Sequence, residues 1–237
     1  MLKEKKYISI IVIISVLLSL YFCEGYLSFL NYKKSLGYKI KVYKKKTGKI
    51  YDTRTKIDFY NDEKKNKEVT LTYIPKLLLN GKQDQFGNVD FFPLSGVSNK
   101  QTIFCNEEGY YASYVSDRYG FNNPDKVWSE DDIDTIIIGD SFVHGMCVNR
   151  PNDITSVIRN LTKKNIINLG YSANGPLIEY ATLREYLYKP IKNLIWIYYE
   201  NDLIDLQEEL ESQILKKYIN DDNFSQNLLS KQKEINL

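Results

Sequence analysis

The segment from Ile133 to Val148 constrains this chain more than any other. Ile133-Asp134-Thr135-Ile136-Ile137-Ile138 is a short, β-branched apolar run of the kind that forms a buried strand, and it feeds directly into Gly139-Asp140-Ser141. Beyond it the pattern alternates. Asp153 can cap a helix running to about Thr162, with Ile154, Val157, Ile158 and Leu161 on one face. Ile166 to Leu169 reads as a second strand. Pro176 suits the first turn of a helix from about Leu177 to Tyr188. Asn193 to Tyr199 reads as a third strand, and its apolar run predicts a central place in the sheet. Asp202 to Tyr218 reads as one helix, charged on one side. Strands alternating with helices imply a parallel sheet covered on both faces, an α/β architecture.

If the strands are neighbours, three loops meet at their carboxyl edge, where open α/β sheets bind ligands. They are Gly139-Asp140-Ser141, Gly170-Tyr171-Ser172-Ala173-Asn174-Gly175 and Glu200-Asn201-Asp202. Ser141 offers a nucleophilic hydroxyl. Backbone N–H groups near Ser141 and in the second loop, with the Asn201 amide, offer donors to an oxyanion. A single donor of this kind contributes about 2.7 to 4 kcal/mol to an acyl-transfer transition state. The set therefore points to ester hydrolysis or acyl transfer. The plainer reading is a strand-to-helix turn in which serine acts as a cap.

The front half carries a different signal. Lys3, Lys5 and Lys6 precede Tyr7 to Phe22, sixteen residues without a charge. That is slightly short of the about 20 apolar residues of a spanning helix, and Cys23, Gly25 and Tyr26 extend it past Glu24. Residues 1–30 thus read as a cytoplasmic basic tip and membrane anchor, preferred over a cleaved signal peptide, with the bulk of the chain outside. Residues 31–115 read as a β-rich extracytoplasmic lead-in. Within it Asn31 to Lys56 is a basic, solvated juxtamembrane stretch and Asn61 to Glu68 a charged loop. Val69 to Ile74, Gln101 to Phe104 and Tyr110 to Val115 are short strands, with turns at Gln85 to Asn88 and Pro93 to Gly96. Arg118 either binds an anion or ties the lead-in to residues 116–237, the structural tie being preferred.

The 32 basic and 30 acidic residues leave a net charge of +2, which gives no case for nucleic-acid binding. Cys23, Cys105 and Cys147 lack metal-ligand spacing, and no metal or cofactor is expected. A Cys105 to Cys147 disulfide is open outside the cytoplasm, but the spacing lends it no support.

Ile138-Gly139-Asp140-Ser141-Phe142, Asn168-Leu169-Gly170, Asn174-Gly175-Pro176 and Glu200-Asn201-Asp202-Leu203, in this order, resemble the SGNH or GDSL-like hydrolase superfamily, and in particular its membrane-anchored bacterial members. The resemblance covers about Asp117 to the carboxyl terminus. It implies a flavodoxin-like three-layer αβα sandwich and an esterase or O-acyltransferase acting on an ester of envelope lipid or acetylated glycan. It implies Ser141 as nucleophile and donor through its own N–H, the backbone N–H of Ala173 as second donor where the family usually has glycine, and Asn201 as side-chain donor. Gly139, Asp140, Gly170, Asn174, Gly175 and Asp202 would support them. The family's glycine before the Asn-Asp pair is replaced by Glu200. The family takes its general base from a late Asp-x-x-His segment, whereas the only histidine here is His144, three residues after Ser141. A side chain there points away from the serine on the same turn, so packing or lining of the cleft is its expected role. The sheet reads as incomplete at its carboxyl end, and the chain as the front of a longer protein or an inactive relative. An impaired enzyme is the leading expectation, and a non-catalytic glycan- or protein-binding module of the same fold is the alternative.

Overall fold

The computed structural model describes residues 2–79 and 91–236, with backbone alone for residues 2–6 and 9. The turn expected at Gln85 to Asn88 lies outside the described residues. The chain divides into two compact units, the second beginning at Arg54.

The first unit is helical. α1 (Leu2–Lys34) contains a 25-residue span, Ile10–Lys34, long and apolar enough to cross a membrane by length and composition. α2 (Leu36–Thr47) follows after Ser35, whose hydroxyl accepts from Tyr38 N at 3.2 Å, and Gly48 closes it at φ 70°. The basic stretch after Asn31 is therefore mostly helix, and α2 buries none of its residues.

The second unit opens with α3 (Lys56–Glu63), started by a reciprocal cap between Thr55 and Asp58. That cap carries helix into the charged cluster expected to be a loop. Strands β1 (Val69–Leu71), β2 (Gln101–Ile103) and β3 (Ser113–Val115) form a small sheet in that order, β1 parallel and β3 antiparallel to β2. Each spans three residues, so the expected β-rich lead-in is shorter in strand and richer in helix than its alternation predicted. Cys105 and Cys147 form a disulfide with Cα atoms 4.9 Å apart, while Cys23 is free and exposed.

A second sheet, all parallel, has the order β5-β4-β6, with β4 (Ile133–Gly139) between β5 (Ile166–Asn168) and β6 (Ile191–Ile197). All seven residues of β4 are buried. Ile136 and Ile138 join the main core with Leu177, Ile178 and Ala181, whereas Ile137 packs with Val143, Ile166 and Ile158. Alternate side chains point to opposite faces of a strand, so helices cover both sides of β4: α6 (Pro176–Tyr186) on one, α4 (Ser141–His144) and α5 (Ile154–Thr162) on the other.

The third strand of this sheet is not central, and the long helix expected after it is not continuous. β6 is an edge strand, with Leu194 and Ile195 exposed. An apolar run reports affinity for burial, and it does not distinguish a central strand from an edge. The single helix expected over Asp202 to Tyr218 is two, α7 (Asp202–Glu209) and α8 (Gln213–Asn220), because Ser212 caps a new start by accepting from Leu215 N. The last helix is α9 (Gln232–Ile235). The segment before it is tied down by Glu185, which accepts from Tyr218 Oη and Gln226 N at 2.6 Å and from Leu228 N at 2.9 Å.

Candidate active site

β4 delivers the chain to Gly139, where a Cβ would meet Val143 Cγ2 at 2.5 Å and Ile197 O at 2.9 Å. Only glycine lets the backbone turn between β6 and α4. Asp140, buried, then caps α4: its Oδ1 accepts from Phe142 N at 3.0 Å. Ser141 is the first residue of that helix and half-buried, and its Oγ donates to Asp140 Oδ2 at 3.3 Å. As the first helical residue it has no intrahelical acceptor for its own N–H.

The second loop is stitched to the first. Tyr171 N donates to Gly139 O at 3.1 Å, Asn168 Nδ2 donates to Val143 O at 2.6 Å, and Asn168 Oδ1 accepts from Gly170 N at 2.8 Å. A Cβ on Gly170 would stand 2.4 Å from Val143, so this loop lies directly on α4. Ala173 has a φ of +62°, a left-handed conformation natural to glycine. Its N–H has no acceptor among the described residues. Asn174 is fully buried, and neither of its amide atoms has a partner among the described residues.

The third loop follows β6, whose Ile197 pairs with Gly139. The Phe142 and Tyr199 rings stand 4.8 Å apart across the two loops. Asp202 Oδ2 accepts from Tyr199 N at 2.6 Å. Asn201 Nδ2 is engaged by Asp205 Oδ2 at 2.7 Å, so one of its two donors is already committed within its own helix turn. Three parallel neighbours thus bring all three predicted loops to one sheet edge. The groove that opens beside Ser141, about 310 Å³, lies on the α4–α5 side and is lined by Phe142, Met146, Val148, Ile154 and Glu107 among others. Ala173 and Asn201 do not line it.

His144 is a core residue. Its Nδ1 accepts from Ser172 N at 3.0 Å, which places the proton on Nε2, 2.7 Å from Tyr114 Oη. Its ring also stacks on Tyr171, with centroids 4.3 Å apart. Burial alone pulls it down to about 3, so it stays neutral. Arg118 is held by Asp125 and Ser129, at 2.8 Å each, so these bonds stay within residues 116–237 and do not make the tie to the lead-in that was expected.

Sequence reasoning missed a set of buried carboxylates behind the loops. Glu209 accepts from Gly175 N, Leu177 N and Ile178 N at 2.6 to 3.2 Å, and so caps α6 from α7. Burial raises it to about 7. Glu179 accepts from Trp196 Nε1 at 2.5 Å and is pushed up to about 8, by burial first and then by its acidic neighbours Asp202, Glu209 and Asp140. Asp202 is raised by burial first and then by Asp140 and Asp205. The one available signal was Glu179 in the first turn of a helix begun by Pro176, which reads only as a helix-dipole residue. Among the described residues, no group of three or more His, Cys, Asp or Glu is arranged to hold a metal ion. No family model matches the chain, and the comparisons with curated proteins and with solved structures return no match.

Proposed function

We propose that the chain is a membrane-anchored SGNH-type serine esterase or O-acyltransferase scaffold with a flavodoxin-like αβα sandwich. It is directed at an acyl ester of envelope lipid or glycan, and its chemical step is impaired when only the residues of this chain are available. One observation carries the reading: three loops following adjacent parallel strands meet at one edge, with Ser141 in the first turn after the central strand. In the proposed reaction Ser141 Oγ attacks the ester carbonyl carbon, and the C=O electron pair moves onto oxygen near the N–H groups of Ser141 and Ala173. The tetrahedral species then collapses and expels the alcohol, which must receive a proton. Water or a second hydroxyl next attacks the acyl-Ser141 carbonyl, regenerating the serine and releasing acid or new ester.

The Ser141 proton needs an acceptor at the outset. His144 does not serve, because both of its nitrogens are engaged in the core. Asp140 Oδ2, at 3.3 Å, is the nearest acceptor. Two features support placing the second unit outside the cytoplasm. Lys3, Lys5 and Lys6 before the anchor favour a cytoplasmic amino terminus, and the Cys105–Cys147 disulfide favours an oxidising compartment for the second unit.

A second reading, a non-catalytic module holding a glycan or protein, is favoured by the Asn201 amide bound to Asp205 and by its absence from the groove lining. A fluorophosphonate probe applied to the detergent-solubilised chain and to Ser141→Ala separates them. The enzyme scaffold gives slow labelling that depends on Ser141. No labelling, together with saturable binding of an acetylated oligosaccharide, supports the second reading. Absence of both overturns the proposal.

A further inference from the structure

The chain carries 27 lysines but only five arginines, and two of these five line one recess of about 370 Å³ with Pro124, Pro151, Ser156 and Asn160. The other arginines have neutralising or carbonyl partners: Arg54 pairs with Asp62, Arg118 with Asp125, and Arg184 donates to the carbonyls of Tyr218 and Phe224. Arg150 and Arg159 form no ion pair among the described residues. Arg150 Nη2 donates to Val115 O and Arg159 Nε to Ile166 O, both at 2.8 Å, and Arg159 Nη2 donates to Asn123 Oδ1. Arg159 Nη1 is buried with no partner. The fields of Asp153 and Asp117 reach both guanidiniums. Asp117 is occupied by Tyr119 N, Phe121 N, Asn123 and Trp128, while Asp153 accepts from Ser156 N through Oδ1 and keeps Oδ2 buried without a hydrogen-bond partner, touching neither guanidinium in an ion pair. Two charges that repel each other, partly withdrawn from water and without a contacting carboxylate, are costly unless an anion joins them.

We propose that this recess binds a phosphate group, as a mono- or diester. A guanidinium matches a tetrahedral oxyanion in a way that lysine does not, and Ser156 and Asn160 line the same recess as neutral polar residues. The proposal does not depend on the acyl-ester reading of Ser141. The phosphate can belong to a soluble ester or to a lipid headgroup, and both present the same chemistry.

The full chain in neutral detergent is titrated with inorganic phosphate, then with glycerol phosphate and with micelles containing phosphatidic acid, reading Tm and ³¹P line width. Inorganic phosphate is expected to raise Tm saturably, where chloride at matched ionic strength does not. Affinity is expected to fall by roughly tenfold or more in Arg150→Gln and in Asn160→Asp. Asn160 is exposed on α5, so Asn160→Asp adds a repelling carboxylate without opening the core, and its Tm without phosphate checks that it folds. Tighter binding of the micellar form assigns a lipid headgroup, and tighter binding of glycerol phosphate a soluble ester. An equal response to chloride, or unchanged phosphate affinity in both variants, would overturn the proposal.

Discussion

Ala173 holds a left-handed φ of +62° that a Cβ disfavours, by roughly 1 to 2 kcal/mol. Ala173→Gly relieves that strain but loosens the unfolded chain, by about 0.4 to 1 kcal/mol. The expected net gain is about 0.5 kcal/mol in urea unfolding, and a loss of stability would show that the position does not favour glycine. The demand for glycine was legible only through the resemblance, since nothing in Tyr171-Ser172-Ala173-Asn174 announces a positive φ. Burial of single ionisable groups was not legible at all, and it sets the pH response. Glu179, Glu209 and Asp117 are raised to about 8, 7 and 6 respectively. Each contributes stability that is fully present below its unfolded value of about 4 and is lost as pH rises through its folded value. His144, depressed to about 3, contributes the reverse: stability present above about 6.5 and lost as pH falls through its folded value. The chain is therefore expected to be less stable at pH 8 than at pH 6. In Glu179→Gln, which retains an acceptor for Trp196, that difference should shrink. An unaltered difference would exclude Glu179 as its source.

At the level of elements, α6 begins with Pro176, and its first N–H groups are answered by a carboxylate from another helix. Glu209→Ala leaves three buried donors without their acceptor, and the expected cost is about 3 kcal/mol. Glu209→Gln, which keeps one acceptor oxygen, should recover part of it. An unfolding midpoint unchanged by Glu209→Ala would show that the cap is dispensable. The three strands and two of the helices around the site were readable because apolar runs and caps such as Asp153 and Pro176 are local signals. The edge position of β6 and the break between α7 and α8 were not. The first depends on which strands are present to pair with it. The second combines a local cap at Ser212, hidden in a charged run, with Glu209 turned toward α6, a tertiary contact that no local pattern encodes.

For the molecule as a whole, the disulfide closes a loop across 42 residues of sequence separation, for which chain entropy gives about 4 kcal/mol. Reduction, or Cys105→Ser with Cys147→Ser, is expected to lower stability by about that amount and leave the parallel sheet folded. A stability indifferent to reductant would remove the support it lends to an oxidising compartment. The loops, the long apolar amino-terminal helix and the single histidine were visible in the sequence. What the carboxyl edge lacks became specific only when His144 was found inside the core with both ring nitrogens engaged. In the proposed reading Ser141 stands at an acyl site without a working base. The pH–rate profile of its fluorophosphonate labelling, corrected with Ser141→Ala, tests this most directly. Without a base, the rate should rise in proportion to hydroxide from about pH 5 to about pH 9, with no plateau. A rate that levels off within that range would reveal a general base in this chain and contradict the account.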